Sequence, residues 1–146
     1  MRITRDEILN MPAGREMDAL VAEFVMGWLP NPGPAKNSPI QGFFRKGKKH
    51  LEWLFMEDID SMLPKDKIVP HFSIDIAAAW EVVEGLKYNW NLCRDVGKCG
   101  SDYETAGDMT YRFIYTAPGM PMEGITADTA PLAICRAALL VKLAML

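Results

Sequence analysis

Two groups of side chains in this sequence are of a type and spacing that can do chemistry. The first is a basic run, Arg45, Lys46, Lys48, Lys49 and His50, broken only by Gly47. Clustered cations raise the local concentration of phosphate groups. Phe43 and Phe44 precede the run and Trp53 follows it. Aromatic faces interleaved with cations are what single-strand binders use to stack bases while tracking the backbone. Together these residues describe a site for a nucleotide or nucleic acid, with the cations on phosphate and Trp53 or Trp90 on a base. The plainer reading is a hairpin tip kept soluble by lysines. Glu57, Asp58 and Asp60 follow closely enough to cancel part of the field.

The second group is Arg15, Asp18, Asp75 and Arg136, polar residues set among apolar neighbours. In an enzyme, Asp75 would be a base and the two arginines anion clamps. The preferred reading is a structural network in which Arg136 pairs with Asp75 or Asp18, because a desolvated guanidinium needs a partner.

The remaining chemistry-bearing residues point to packing. Trp28 and Trp80 fall on apolar stripes and are expected in the core, whereas Trp53 and Trp90 stay open as stacking candidates. Asn89, Asn91 and Arg94 surround Trp90 and are expected to present a polar outer face. Five residues separate Cys93 from Cys99, and the only histidines, His50 and His71, lie in unrelated segments. Structural zinc sites pair their ligands two to four residues apart, so no metal or cofactor is expected. Cys135 reads as a small core residue. The chain carries no glycine-rich phosphate loop, nucleophile motif or zinc-protease motif.

Composition narrows the class. A chain of 146 residues with 49% hydrophobic and 24% charged residues is a soluble globular domain large enough to bury a core. Its net charge of −3 argues against general nucleic-acid binding without excluding a local patch. Three cysteines, an odd number, favour a reducing compartment. The first residues lack the apolar core of a signal peptide. Arg136 and Lys142 interrupt the C-terminal apolar run, which argues against a membrane span.

Elements must then position these residues. Thr4 to Glu7 matches a capping box and starts a short helix that Met11-Pro12 breaks. Met17, Leu20, Val21, Phe24, Val25 and Trp28 recur at helical spacing and predict a helix from about Pro12 to Trp28, ended by Gly27 and Pro30. Residues 29–42 hold four prolines and two glycines and read as an irregular loop. Residues 43–56 fit a hairpin around the Lys-rich turn, with an acidic loop after it; Leu51 to Met62 also fits a helix. Ser73 is the expected N-cap of a helix whose apolar stripe is Ile76, Ala79, Trp80, Val83 and Leu86. Tyr88–Val96 and Met109–Thr116 alternate as strands of an antiparallel hairpin across a polar turn, Gly97 to Gly107. Ala117 to Gly124 leads to a last helix, capped near Asp128 or Thr129 and apolar nearly all round from Leu132 onward. Such a helix is buried on more than one side, between the sheet and another helix. The expectation is one α+β domain spanning 1–146, a small antiparallel sheet covered by helices.

Three blocks carry a family resemblance. They are Ala13 to Glu23 with Gly27-Trp28, Ser73 to Val83, and Thr129 to Leu139. In this order they resemble the phage ABA-sandwich domain family. The resemblance implies an α-β-α sandwich and a phage or prophage origin, and it carries over no catalytic residue. Between Trp28 and Pro70 the chain departs from the typical member by being longer and more basic, so 43–69 reads as a variable, insert-like segment. The leading functional reading is a non-enzymatic accessory protein of a phage or prophage. It would bind a host protein or small ligand in the host cytoplasm, with no membrane role, as a homo-oligomer to which the apolar excess of the last helix points. The alternative is a nucleotide or nucleic-acid binder using 45–50 and the exposed aromatics.

Overall fold

The computed structural model describes residues 3–31, 42–47, 49–57, 63–86, 89–96, 109–116 and 123–145. The first helix, α1 (Arg5–Asn10), opens on the expected capping box: the Thr4 amide donates to Glu7 Oε2 at 2.6 Å and the Glu7 amide to Thr4 Oγ1 at 3.2 Å. Helix α2 (Arg15–Leu20) continues without a break into a π-helical turn, Val21–Val25. This helix starts later than Pro12, at Arg15, and its N-cap Gly14 has no side chain to cap the first turn. The hydroxyl of Ser73 accepts from the amide of the cap residue itself, at 2.9 Å, and ties the helix start to the segment that carries Ser73. Gly27 ends the helix as expected. Its φ of +73° is a left-handed conformation that glycine adopts without penalty, and the Trp28 amide bonds back to the Ala22 carbonyl at 2.9 Å.

Two three-stranded antiparallel sheets follow, where a single sheet was expected. The first is ordered β1 (Leu29–Asn31), β2 (Gly42–Lys46), β3 (Leu51–Phe55). The hairpin around the Lys-rich turn is therefore real, and the helical alternative for 51–56 is excluded. Strand β1 was missed because it lies in the Pro-rich stretch; Pro30 is tolerated on an edge strand, where a missing N–H breaks no central ladder. The second sheet is β4 (Asn89–Val96), β5 (Met109–Thr116), β6 (Glu123–Ala127). Both strands of the β4–β5 hairpin fall where alternation placed them, and β6 was missed in the Pro-flanked segment before the last helix. Gly124 within β6 makes it read weakly as a strand, yet an added Cβ there would meet Arg112 Cδ at 2.9 Å. The turn from Gly97 to Gly107, Cys99, Lys48, Asp58, Asp60, and most of the 29–42 loop lie outside the described residues.

Helix α3 (Ile76–Gly85) is capped by Asp75, whose carboxylate accepts from the Ala77 amide at 3.0 Å. Ser73 was the expected cap, but its hydroxyl is engaged by Gly14 and Asp18. The buried stripe of α3 is Ala78, Ala79, Val82, Val83 and Leu86. Ile76 and Trp80 lie at its margin and are exposed, contrary to the expectation that Trp80 is core. Small alanines at the centre bring α3 close to its neighbour, and the stripe rotates towards them.

Helix α4 (Ala130–Ala144) is capped by Thr129 and packs against α1, the π-turn, α3, β5 and β6. Every residue from Pro131 to Val141 except Arg136 is buried. Across from it, Phe113, Tyr115, Ile125 and Ala127 form the buried face of the second sheet. The apolar surface of α4 is thus consumed inside its own chain, and it gives no reason to expect an oligomer. Cys135 is a buried core residue, and burial pushes its thiol pKa up. Among the described residues no helix is long and apolar enough to cross a membrane.

Candidate functional site

Side chains alternate across a strand, so the register of the first sheet sorts its residues by face. Phe43 pairs with Leu54, and both are buried against the core. The opposite face carries Leu29, Phe44 and Trp53 in one cross-strand row, since Leu29 pairs with Phe44 and Phe44 with Trp53. Leu51 and Phe55 flank Trp53 two residues either side, and Lys46 lies opposite Leu51. The rings form a continuous strip: Phe44 and Trp53 have centroids 4.5 Å apart, Trp53 and Phe55 5.6 Å apart, the latter edge to face. Phe44, Trp53 and Phe55 are half-buried, while Leu29 and Leu51 are 62% and 59% exposed.

Gly42 gives Trp53 its position. A Cβ added at Gly42 would meet Trp53 Cζ2 at 2.8 Å and would also run into the Leu54 carbonyl oxygen. The indole lies across the space that a side chain would fill, so only glycine lets the ring settle flat on the strand.

The basic run does not act as a unit. Arg45 is on the core-facing side of β2, where its Nε donates to Glu52 Oε2 at 2.7 Å and its guanidinium sits 5.7 Å from the Trp28 ring. The hydrogen bond from Arg45 holds the Glu52 carboxyl below the usual carboxylate range. Arg45 is thus a structural residue of the hairpin. Lys46, on the aromatic face, and Lys49 and His50 at the turn are exposed. What the fold brings together is therefore a flat apolar and aromatic strip with Lys46 at one end and Lys49 at the adjoining turn. A strip of this kind can take a planar group on its rings and an anion at its end.

The four-residue polar network divides into three. Asp18 is fully buried and accepts from the Ser73 amide at 2.8 Å, the Ser73 hydroxyl at 2.7 Å and Arg15 Nη1 at 3.0 Å. Arg15 also donates to the carbonyls of Met56, Val69 and Pro70, with the Met56 contact from Nε at 3.0 Å and the Val69 contact at 2.9 Å. It fastens the end of β3 and the segment before α3 to α2. Asp75 stands apart as the α3 cap. Arg136 reaches neither acid. Its Nη2 donates to the Met11 carbonyl at 3.0 Å and its Nη1 to the Thr126 carbonyl at 3.3 Å. The expected pairing with Asp75 or Asp18 is therefore wrong: Asp18 is taken by Arg15 and Ser73, and Asp75 by the helix end. Burial lowers the Arg136 pKa, partly offset by Asp128, and among the described residues its Nε has no hydrogen-bond partner.

Of the remaining tryptophans, Trp28 packs on Phe72 with centroids 5.9 Å apart. Trp90 lies in the second sheet, not beside the basic turn's hairpin: it stacks on Phe113 at 5.8 Å and meets Trp80 edge to face at 5.1 Å. Trp53 and Trp90 therefore belong to separate surfaces. Leu29, Leu51 and Phe55 were not singled out as site residues. The alternation Leu51, Trp53, Phe55 was the available signal.

Comparison with known proteins places the fold. A crystal structure of a phage protein from Bacillus cereus ATCC 14579 superposes with a TM-score of 0.55 at 23% identity, over 89% of this chain and 92% of that one. No curated protein matches the sequence. The family model of the phage ABA sandwich domain matches residues 19–139, a span that takes in both sheets and the helices α3 and most of α4, and on that match the chain belongs to the phage ABA sandwich domain family.

Proposed function

We propose that this phage protein acts by binding rather than catalysis, as an accessory protein working in the host cytoplasm. Its ligand is a small, flat, anionic molecule of the nucleotide type, or the same chemistry repeated along a short single strand. One observation carries the reading: Phe44, Trp53 and Phe55 form a continuous aromatic strip that shares its sheet face with Lys46. Bases stack on such rings with little regard for sequence, and each stacked base is worth about 1–3 kcal/mol. The polar residues that an enzyme reading would recruit have other employment. Asp75 caps α3, Arg15 is held by Asp18 and by the carbonyls of Met56 and Val69, and Arg136 donates to the carbonyls of Met11 and Thr126.

The test is a thermal-shift screen of the purified protein against mononucleotides and short oligonucleotides. A stabilisation by mononucleotides alone identifies a nucleotide binder, and one that grows with oligonucleotide length identifies a single-strand binder. The exposure of Leu29 and Leu51 favours a second reading, in which the same face covers an apolar patch on a host protein. A blank screen with every nucleotide supports that reading instead.

A further inference from the structure

The three rings on the outer face of the first sheet are continuous but not coplanar. Phe44 is inclined at 59° to Trp53, and Phe55 stands at 86° to it. Proteins that hold a running single strand stack successive bases on successive ring faces. Two rings at nearly a right angle cannot both lie parallel to the bases of one stack. A base laid on Trp53 instead meets Phe55 edge to face, an arrangement that aromatic rings favour. The face therefore seats one base, on Trp53, with Phe44 and Phe55 as its sides. The indole itself is held over Gly42.

Charge is distributed unequally about this seat. Residues two apart on a strand fall in cross-strand rows about 7 Å apart. Phe55 shares a row with Gly42, Trp53 with Phe44, and Leu51 with Lys46. Exposed Lys46 is thus one row from the seat, and exposed Lys49 sits in the turn beyond it. Past the other end, two residues after Phe55, the exposed residue is Glu57. Arg45 and Glu52 pair with each other on the opposite face. An anionic group is drawn towards the hairpin tip and away from the Phe55 end.

We propose that the ligand of this face is a nucleoside polyphosphate, with its one base on Trp53 and its chain of two or three phosphates running towards the hairpin tip, past Lys46 to Lys49. The inference rests on the nucleotide-binding reading of the same site and chooses within it. A through-going single strand needs a second parallel ring, and it carries phosphates in both directions from a seated base, one of them towards Glu57. A nucleoside di- or triphosphate puts all of its charge on the side of the lysines. An oligonucleotide engages through one base only, with the adjoining phosphates on the lysines.

The test is an NMR titration of the full chain, followed at the Trp53 indole, with thymidine mono-, di- and triphosphate and with the 5′-phosphorylated thymidine dinucleotide. EDTA is present throughout, so that no metal ion competes for the phosphates. Affinity is expected to rise from the mono- to the triphosphate, about two- to fivefold for each phosphate that reaches a lysine, the scale of an exposed ion pair. The dinucleotide is expected to bind no tighter than the triphosphate. Lys49→Gln, at an exposed turn position, should remove most of the gain between mono- and triphosphate with the melting temperature unchanged. Equal affinity for the three thymidine phosphates overturns the inference. So does a dinucleotide that binds tighter than the triphosphate, or a gain that Lys49→Gln leaves intact; in each of these results nucleotide binding itself stands. Absence of binding by all four ligands overturns the inference together with the reading beneath it.

Discussion

Asp18 on α2 accepts two hydrogen bonds from one residue, the amide and the hydroxyl of Ser73, at 2.8 and 2.7 Å. The carboxylate is fully buried, and its other oxygen holds Arg15. Removing it leaves the Ser73 amide without its acceptor and takes the charged partner from the Ser73 hydroxyl and Arg15 Nη1. Asp18→Ala should therefore cost about 3–5 kcal/mol, the scale for breaking one side of a buried charged pair. Ser73→Ala keeps the Arg15 contact and should cost less, about 1–3 kcal/mol. Urea unfolding of both variants measures the ordering.

Gly42 carries a second prediction. Gly42→Val puts a branched side chain where the Trp53 indole and the Leu54 carbonyl already lie. The ring must swing off the strand, and strain of this kind typically costs about 1–3 kcal/mol. Chemical shifts of the Trp53 indole and of Phe44 should move together, while those of Trp80 and Trp90 in the second sheet stay in place.

The pH dependence of the hairpin follows from Glu52. Its folded-state pKa lies below that of an ordinary glutamate, chiefly through the hydrogen bond from Arg45. A carboxyl with a depressed pKa contributes stability above its unfolded pKa and loses it as pH falls through the folded value. The Arg45–Glu52 contact should therefore persist at neutral pH and weaken only on acidification below about 4.5. A carboxyl-detected NMR titration should find Glu52 titrating below an unpaired glutamate, and Arg45→Met should return it to the ordinary range.

Much of this architecture is legible in the sequence because the signals are local. The capping box at Thr4, the left-handed stop at Gly27, the alternation of Tyr111, Phe113 and Tyr115, and the apolar run of α4 each depend on neighbouring residues. What escaped depends on distant ones. Strands β1 and β6 contain or adjoin prolines and glycines and exist because a neighbouring strand supplies the ladder. Trp80 matches the helical stripe, yet Ala79 and Val82 set the true centre of packing. Charge type alone assigned Arg45 to a ligand and Arg136 to an acid. Strand parity turned Arg45 inward to Glu52, and geometry offered Arg136 only carbonyls. The candidate site was half visible: Trp53, Lys46 and Lys49 were named from composition, but the strip needed the β2–β3 register to gather Phe44, Leu51 and Phe55 around them.

Lys46 and Trp53 separate the two parts of the proposed site. Lys46→Glu should reduce affinity for an anionic ligand and flatten its salt dependence, since one phosphate contact is lost. Trp53→Ala should weaken binding roughly 5- to 150-fold, the equivalent of about 1–3 kcal/mol of stacking, and leave the salt slope unchanged. Lys65→Glu, an exposed residue outside the strip, serves as the charge control and should change little.

Binding of bases and phosphate by the outer face of the first sheet is read directly by fluorescence anisotropy of a labelled single-stranded oligonucleotide titrated with the wild-type protein over a range of salt concentrations. The expected result is saturable binding whose logarithm falls linearly with the logarithm of salt, weakened in Trp53→Ala with the melting temperature little changed. An anisotropy that stays flat at low salt, together with no competition or stabilisation by free nucleotides, would contradict it.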